Sequence, residues 1–253
     1  MKSIAIINQK GGVGKSTTAL AIGAGITLKG HSVLYIDLDA QGNLSYSIGA
    51  DTQGYNAFGV LERPETIRSE IQHTPQGDII ASSPRLAGAD KLLEATGKEY
   101  RLKEALETLQ SIYEYCIIDT PPALGILTIN ALTACNGAII PAQADIYSLQ
   151  GISQLNGTIE TVRKYCNPDL TIMGIVLTRF NSRSTIRREV AEMLETTAKK
   201  LNTKLYASKI RECVSIVEAE AVRKSIYSYA PRSNATKDYT ALVNEILGEE
   251  NNG

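Results

Sequence analysis

Short apolar runs alternate with amphipathic stretches along the whole chain, which predicts βα units winding a mostly parallel sheet. The apolar runs predict strands over 3–8, 32–37, 78–81, 115–119, 137–141 and 171–178. Several carry β-branched residues on both faces, as at Ile4, Ile6 and Ile7 or Ile117 and Ile118, which suits strands covered by helices above and below. The intervening stretches predict helices over 16–29, 101–112, 126–134, 149–165, 185–201 and 237–247. Within 185–201, Ile186, Val190, Met193, Leu194 and Ala198 recur at helical spacing while Arg187, Arg188, Glu192, Glu195 and Lys199 take the other side. The segment 49–97, rich in Gly, Thr, Gln and Pro, yields only the strand at 78–81 and a helix near 86–95. Nothing there reads as a linker and no internal repeat is visible, so one domain spanning 1–253 is expected. The expected fold is α/β, a three-layer, doubly wound, mostly parallel sheet with helices on both faces.

Composition narrows this little. The chain has 253 residues, 43% hydrophobic and 21% charged, with a net charge of -1, which excludes a wholly basic nucleic-acid coat and a strongly acidic tail protein. Cys116, Cys135, Cys166 and Cys213 have no CxxC spacing, so reduced thiols are expected rather than a disulfide framework or zinc site. No stretch approaches the roughly 18 apolar residues of a membrane span. The expected location is the cytoplasm.

The most informative segment is Asn8-Gln9-Lys10-Gly11-Gly12-Val13-Gly14-Lys15-Ser16-Thr17, which follows an apolar strand and opens a helix. Glycines let the backbone curl until successive N–H groups face an anion, and the helix adds its positive end. Lys15 is placed to bridge β- and γ-phosphates, and the Ser16 hydroxyl suits Mg²⁺. Gln9 occupies the place of the first Gly of GxxxxGK[ST], so the loop is a variant, and it carries a second lysine, Lys10, expected to point away from its own helix N-terminus.

Two further strands end in acids. Tyr115-Cys116-Ile117-Ile118-Asp119 is halted by Pro121-Pro122, which puts Asp119 at the carboxyl edge beside the loop. Val33-Leu34-Tyr35-Ile36-Asp37-Leu38-Asp39 sends Asp37 and Asp39 off the same edge. Ser16, Asp37 and Asp119 are the candidate metal ligands, and one acid of the second strand can orient an attacking water.

These motifs, with Ile118-Asp119-Thr120-Pro121-Pro122 and Asp37-Leu38-Asp39-Ala40-Gln41-Gly42-Asn43, resemble the deviant Walker A P-loop ATPases of the ParA/Soj partition family, over essentially the whole chain. The resemblance implies an ATP- and Mg²⁺-dependent sandwich dimer. Lys10 would reach the partner's phosphates, Asp39 would support hydrolysis and Asp119 would be the Walker B acid; with Lys15 these are the candidate catalytic residues. Gly11, Gly12, Val13, Gly14, Ser16 and Thr17 would complete the nucleotide site, with Thr178, Arg179 and Arg211 near the base. The family usually has Pro at the place of Ala40, and often a Pro-Arg pair where this chain has Ile210-Arg211. The implied cycle is non-specific binding of duplex DNA by the ATP dimer and its release when a ParB-type centromere-binding protein stimulates hydrolysis, with the protein on the nucleoid.

A charge count supports the DNA expectation independently. Residues 179–237 hold 13 Lys and Arg against six Glu. Arg183, Arg187, Arg188, Lys199, Lys200, Lys209, Arg223 and Lys224 are the candidate contacts, and few aromatics interleave them, which favours duplex backbone over stacked single strands. The acidic end, Glu245 to Gly253, disfavours a membrane-cycling division regulator. A metabolic ATP-dependent ligase or amidase-like enzyme would need a second polar pocket, which 49–97 does not reveal. The first strand starts at Ser3, so no helix-turn-helix extension is expected ahead of the loop.

Overall fold

The computed structural model describes residues 1–181 and 184–248. Its strands are β1 (Lys2–Ile6), β2 (Val33–Asp37), β3 (Gln72–Thr74), β4 (Gly77–Ile80), β5 (Tyr115–Asp119), β6 (Gly137–Ala142), β7 (Thr171–Phe180) and β8 (Leu205–Arg211). They form one sheet in the order β3-β4-β2-β5-β1-β6-β7-β8. Every pairing is parallel except β3 with β4 at one edge. The α-helices are α1 (Lys15–Leu28), α2 (Asn43–Ile48), α3 (Ala57–Glu62), α4 (Ile67–Glu70), α5 (Ala89–Leu92) and α6 (Arg101–Glu107), then α7 (Ile126–Ala134), α8 (Ile146–Tyr165), α9 (Thr185–Lys200), α10 (Val214–Ala221), α11 (Ile226–Tyr229) and α12 (Asn234–Leu247).

Successive strand residues point to opposite faces, and both faces are dry. In β1, Ile4 and Ile6 join Ile22 and Ile26 of α1 and Leu242 and Val243 of α12. Ala5 and the following Ile7 join a second cluster that contains Leu106, Leu132, Leu155 and Leu194. This is the expected three-layer, doubly wound arrangement. Parallel pairing also fixes a level: β5 aligns Asp119 with Ile6 of β1 on one side and with Asp37 of β2 on the other. Two acids and the start of the glycine loop therefore leave the sheet side by side.

The elements differ from the sequence expectation where tertiary contacts override local pattern. Helix α6 stops at Glu107 because Thr108, Leu109 and Ile112 bond three residues back, tightening the chain into turns. Helices α8 and α12 each begin three residues early, capped by Asp145 and Ser233. Strands β3 and β8 were not expected; each lies at a sheet edge with polar residues. In α9 the buried stripe is Val190, Leu194 and Ala198, whereas Ile186 and Met193, expected to pack, are 71% and 54% exposed.

One close approach has a testable consequence. A Cβ on Gly23 of α1 would overlap the ring of fully buried Tyr35, whose hydroxyl donates to Leu20 O at 3.3 Å. The Gly23→Ala variant should lose about 1–2 kcal/mol, because overpacking outweighs the helix-propensity gain of alanine. Urea unfolding checks this, and an unchanged or higher midpoint contradicts it.

Candidate nucleotide site

The loop after β1 is pinned from both sides. The amide of buried Asn8 donates to Pro141 O at 2.6 Å, and its carbonyl accepts from Lys10 N at 2.9 Å. Gly12 and Gly14 sit at φ 73 and 83, left-handed values that a side chain would strain. Gly14 caps α1 with no side-chain acceptor, so the free N–H groups of the first turn remain available to an anion. The Thr178 hydroxyl of β7 donates to Val13 O at 2.8 Å, and Gln143 Nε2 donates to Gly12 O at 3.1 Å. The cradle is thus held by β6 and β7 as well as by its own turns.

Lys15 is 7% exposed, and its ammonium reaches Lys10 O at 3.4 Å. Burial lowers its pKa, and the charges of Asp119 and Asp39 oppose that shift. Asp119 has no exposed surface, and neither carboxylate oxygen meets a donor in hydrogen-bond geometry. Burial pushes its carboxyl well above the usual range and the Asp37 charge adds to this, against the neighbouring Ser16 hydroxyl and the Lys15 ammonium. A buried carboxylate without partners is costly, and an arriving cation relieves it.

Asp37 has a different task. Its carboxylate accepts from Asp39 N at 3.1 Å, Ser45 N at 2.8 Å and Ser45 Oγ at 2.7 Å. Burial raises its pKa to about 6 although these bonds oppose the shift. The bonds tie the loop after β2, with Gly42 at φ 65, against α2. Asp119 is the one of the two aligned acids whose lone pairs are uncommitted. Asp39 is half-buried, accepts from Gln41 N at 3.0 Å and lines the cleft.

The cleft, about 700 Å³, is bounded by Gly12, Lys15 and Ser16 on one wall and by Asp39, Pro122 and Arg179 on the others. A second cavity of about 200 Å³ opens beside it, lined by Val13, Ile210, Ile216, Val217 and Tyr239 among others. Thr178, Arg179 and Arg211, the residues expected near the base, all line this second cavity. Two of them are already engaged there: Thr178 holds the loop, and Arg211 clasps Asp238 through Nε at 2.9 Å and Nη2 at 2.6 Å.

Lys10 is engaged outside the loop, at the start of α8. Its ammonium meets the Asp145 carboxylate at 2.5 Å, with the two side chains 31% and 32% exposed. Burial pushes Asp145 up, but Lys10 and the Ser148 N–H and hydroxyl outweigh it and hold the carboxyl below its usual range. Sequence reasoning missed Asp145, which lies 135 residues from Lys10. It also missed Glu220 of α10, which accepts from the Thr17 hydroxyl at 2.5 Å. The available signal was the spacing of Cys213, Ile216, Val217 and Glu220, which puts one face of a helix on the cavity.

The basic candidates occupy separate places. Arg187 donates to Arg179 O at 2.7 Å, Arg188 to Thr185 at 3.2 Å, and Lys199 pairs with Glu195 at 3.1 Å along α9. Lys200 is exposed at the end of α9, and Lys224 is exposed after α10. Lys209 lies over the Phe180 ring and Arg223 over Tyr46 on the cleft side. Arg183 lies outside the described residues. No trio of His, Cys, Asp or Glu among the described residues forms a ready-made metal cage, and no described helix is long and apolar enough to cross a membrane.

Comparison with known proteins agrees with this architecture. A family described as an AAA domain matches residues 1–172. The sporulation initiation inhibitor protein Soj of Bacillus subtilis is 39% identical over 97% of this chain and 98% of its own. The chromosome partitioning protein ParA of Myxococcus xanthus is 35% identical over 96% and 87%. A solved structure of cobyrinic acid a,c-diamide synthase from Mycobacterium smegmatis with bound ATP analogue and magnesium superposes with a TM-score of 0.85 at 33% identity, covering 98% of this chain and 94% of that one. A putative plasmid partition protein from Borrelia burgdorferi bound to AMPPNP gives 0.80 at 26% identity over 97% and 98%. With its glycine loop, its aligned acids and this similarity over nearly its full length, the chain belongs to the AAA-domain family of P-loop ATPases that contains the Soj and ParA chromosome-partitioning proteins.

Proposed function

We propose that the protein is an ATP-hydrolysing partition switch whose nucleotide state controls dimerisation and hold on duplex DNA. The observation that carries this is the pairing of a glycine cradle in left-handed backbone, with no side-chain cap, and a fully buried carboxylate whose oxygens meet no donor in hydrogen-bond geometry. Such a site is incomplete until a polyphosphate and a cation enter. The residues fit Mg²⁺ brought by the nucleotide: Ser16 would hold it directly and Asp119 through water, while the bound cation would neutralise charge on the β- and γ-phosphates. The cradle N–H groups and Lys15 hold the triphosphate, and Asp39 at the cleft wall orients the attacking water. Asp37 keeps the Asp39 loop in place through Ser45. Lys10 leaves Asp145 and serves the phosphates of a second copy.

The exposed basic residues of α9 with Lys209 and Lys224 support contact with DNA phosphates in the dimer, and a centromere-binding protein of the ParB type would trigger release. DNA retention with ATP tests the switch. Lys15→Ala should lower ATP-dependent phosphate release by about 10²–10³-fold and abolish retention, as Lys10→Ala should abolish retention. Asp39→Ala should stay on DNA longer, because the reset is blocked. Equal retention by all variants contradicts nucleotide control.

One observation favours a second reading, an amide-forming enzyme. The segment after β2 and its neighbours line a separate cavity of about 380 Å³ with Asp51, Thr52, Ser82 and Arg223, the polar pocket that such an enzyme needs. Stimulation of phosphate release by small carboxylic acids, and none by duplex DNA, would select this reading.

A further inference from the structure

The Glu220 carboxylate has no part in the scheme above, yet it occupies the joint of the site. Glu220 lines both the cavity over the glycine loop and the smaller cavity beside it. The first is lined by Lys15 and Ser16. The second has an apolar side of Val13, Ile210, Ile216, Val217 and Tyr239 that suits a flat heterocycle, and a polar side that includes Arg179, Arg211 and Glu212. Between the phosphates and the base of a nucleotide there is only the sugar. Gly14, Thr17, Arg179, Val217 and Glu220 line both cavities and so surround the sugar; among them Glu220 is the one carboxylate, and Thr17 of α1 bonds to it.

The chemistry agrees. A carboxylate accepts hydrogen bonds and donates none, so a cis-diol with two O–H donors matches it, whereas phosphate oxygens repel it. The side chain is held rather than free: α10 fixes its backbone, and the Thr17 hydroxyl at 2.5 Å occupies only one of its oxygens. Charge-assisted hydrogen bonds of this kind are among the stronger polar contacts.

We propose that Glu220 reads the ribose hydroxyls and makes the site selective for ribonucleotides over 2′-deoxyribonucleotides. The proposal rests on nucleotide binding at the cradle, and the test separates the two. Calorimetry with Mg²⁺ compares ADP and 2′-deoxyADP on the full chain as wild type, Glu220→Gln, Glu220→Ala and Thr17→Val. Wild type should bind ADP about tenfold or more tighter than 2′-deoxyADP. Glu220→Ala should bind both alike, at the level of 2′-deoxyADP on wild type, and Glu220→Gln should fall between. Thr17→Val should weaken both nucleotides while retaining a preference for ADP. Equal binding of the two nucleotides by wild type, or a preference that survives in Glu220→Ala, overturns the proposal. Equal loss of both nucleotides in Glu220→Ala, with its melting temperature unchanged, assigns Glu220 to loop support and overturns it too. If wild type binds neither nucleotide, the underlying reading fails as well.

Discussion

Asp119→Asn should make the nucleotide-free protein more stable above neutral pH while removing the magnesium-dependent part of nucleotide binding. The carboxyl is fully buried without a hydrogen-bond partner, and its pKa is raised, with burial the main cause. A raised carboxyl pKa contributes stability that is present below the unfolded value near 4 and is lost as pH climbs through the folded value. Asn cannot ionise, so its burial cost does not grow with pH, although it leaves the buried Lys15 ammonium with one counter-charge fewer. Thermal unfolding without nucleotide should thus show wild type and variant close together near pH 4–5, with the variant gaining a few degrees by pH 8, as expected for a chain of this size. Asp37, raised by burial to about 6, titrates in both proteins, and losing the repulsion between it and a charged Asp119 favours the variant in the same pH range. With ADP the order should reverse on adding Mg²⁺, because only wild type has the charge that holds the cation's water. A variant less stable than wild type at pH 8, or one that keeps the full magnesium increment, contradicts this account.

The second large effect concerns Lys10. In the proposed dimer Lys10 exchanges the Asp145 carboxylate, which its ammonium meets at 2.5 Å, for a second copy's phosphates, so forming that dimer would open one such pair in each chain. Asp145 also caps α8 by accepting from Ser148 N at 2.9 Å, and Asn keeps a cap while removing the charge. A partly exposed pair contributes at most about 1 kcal/mol, so releasing two of them should let Asp145→Asn dimerise with a slowly hydrolysed ATP analogue at about tenfold lower protein concentration. Lys10→Ala should remain monomeric over the same range. Light scattering across a concentration series reads both. An Asp145→Asn protein that needs as much protein as wild type, or more, shows that the bridge does not restrain Lys10.

How much of this the sequence disclosed follows from how local each feature is. Strand β5 and helix α7 match their expected bounds because a two-sided apolar strand, a Pro pair and a short apolar helix are encoded by adjacent residues. The glycine loop and the acids at the ends of β2 and β5 were legible for the same reason. Edge strand β8 alternates buried Tyr206 and Ile210 with polar residues, a pattern too short to stand out. Helix α10 exposes Val214 and Val217 at 72% and 63%, so its apolar positions point two ways. The partners that define the site, Asp145 for Lys10 and Glu220 for Thr17, come from segments 135 and 203 residues away. Only the folded sheet brings them together. The basic candidates counted together over 179–237 divide among α9, β8 and the turn after α10, with Arg223 drawn to Tyr46 at the cleft.

The most direct measurement is calorimetric titration of ATP with Mg²⁺ into wild type and Lys15→Ala. The account predicts one nucleotide per chain for wild type and at least a tenfold loss of affinity for the variant. No uptake by wild type, or equal uptake by both, would contradict it.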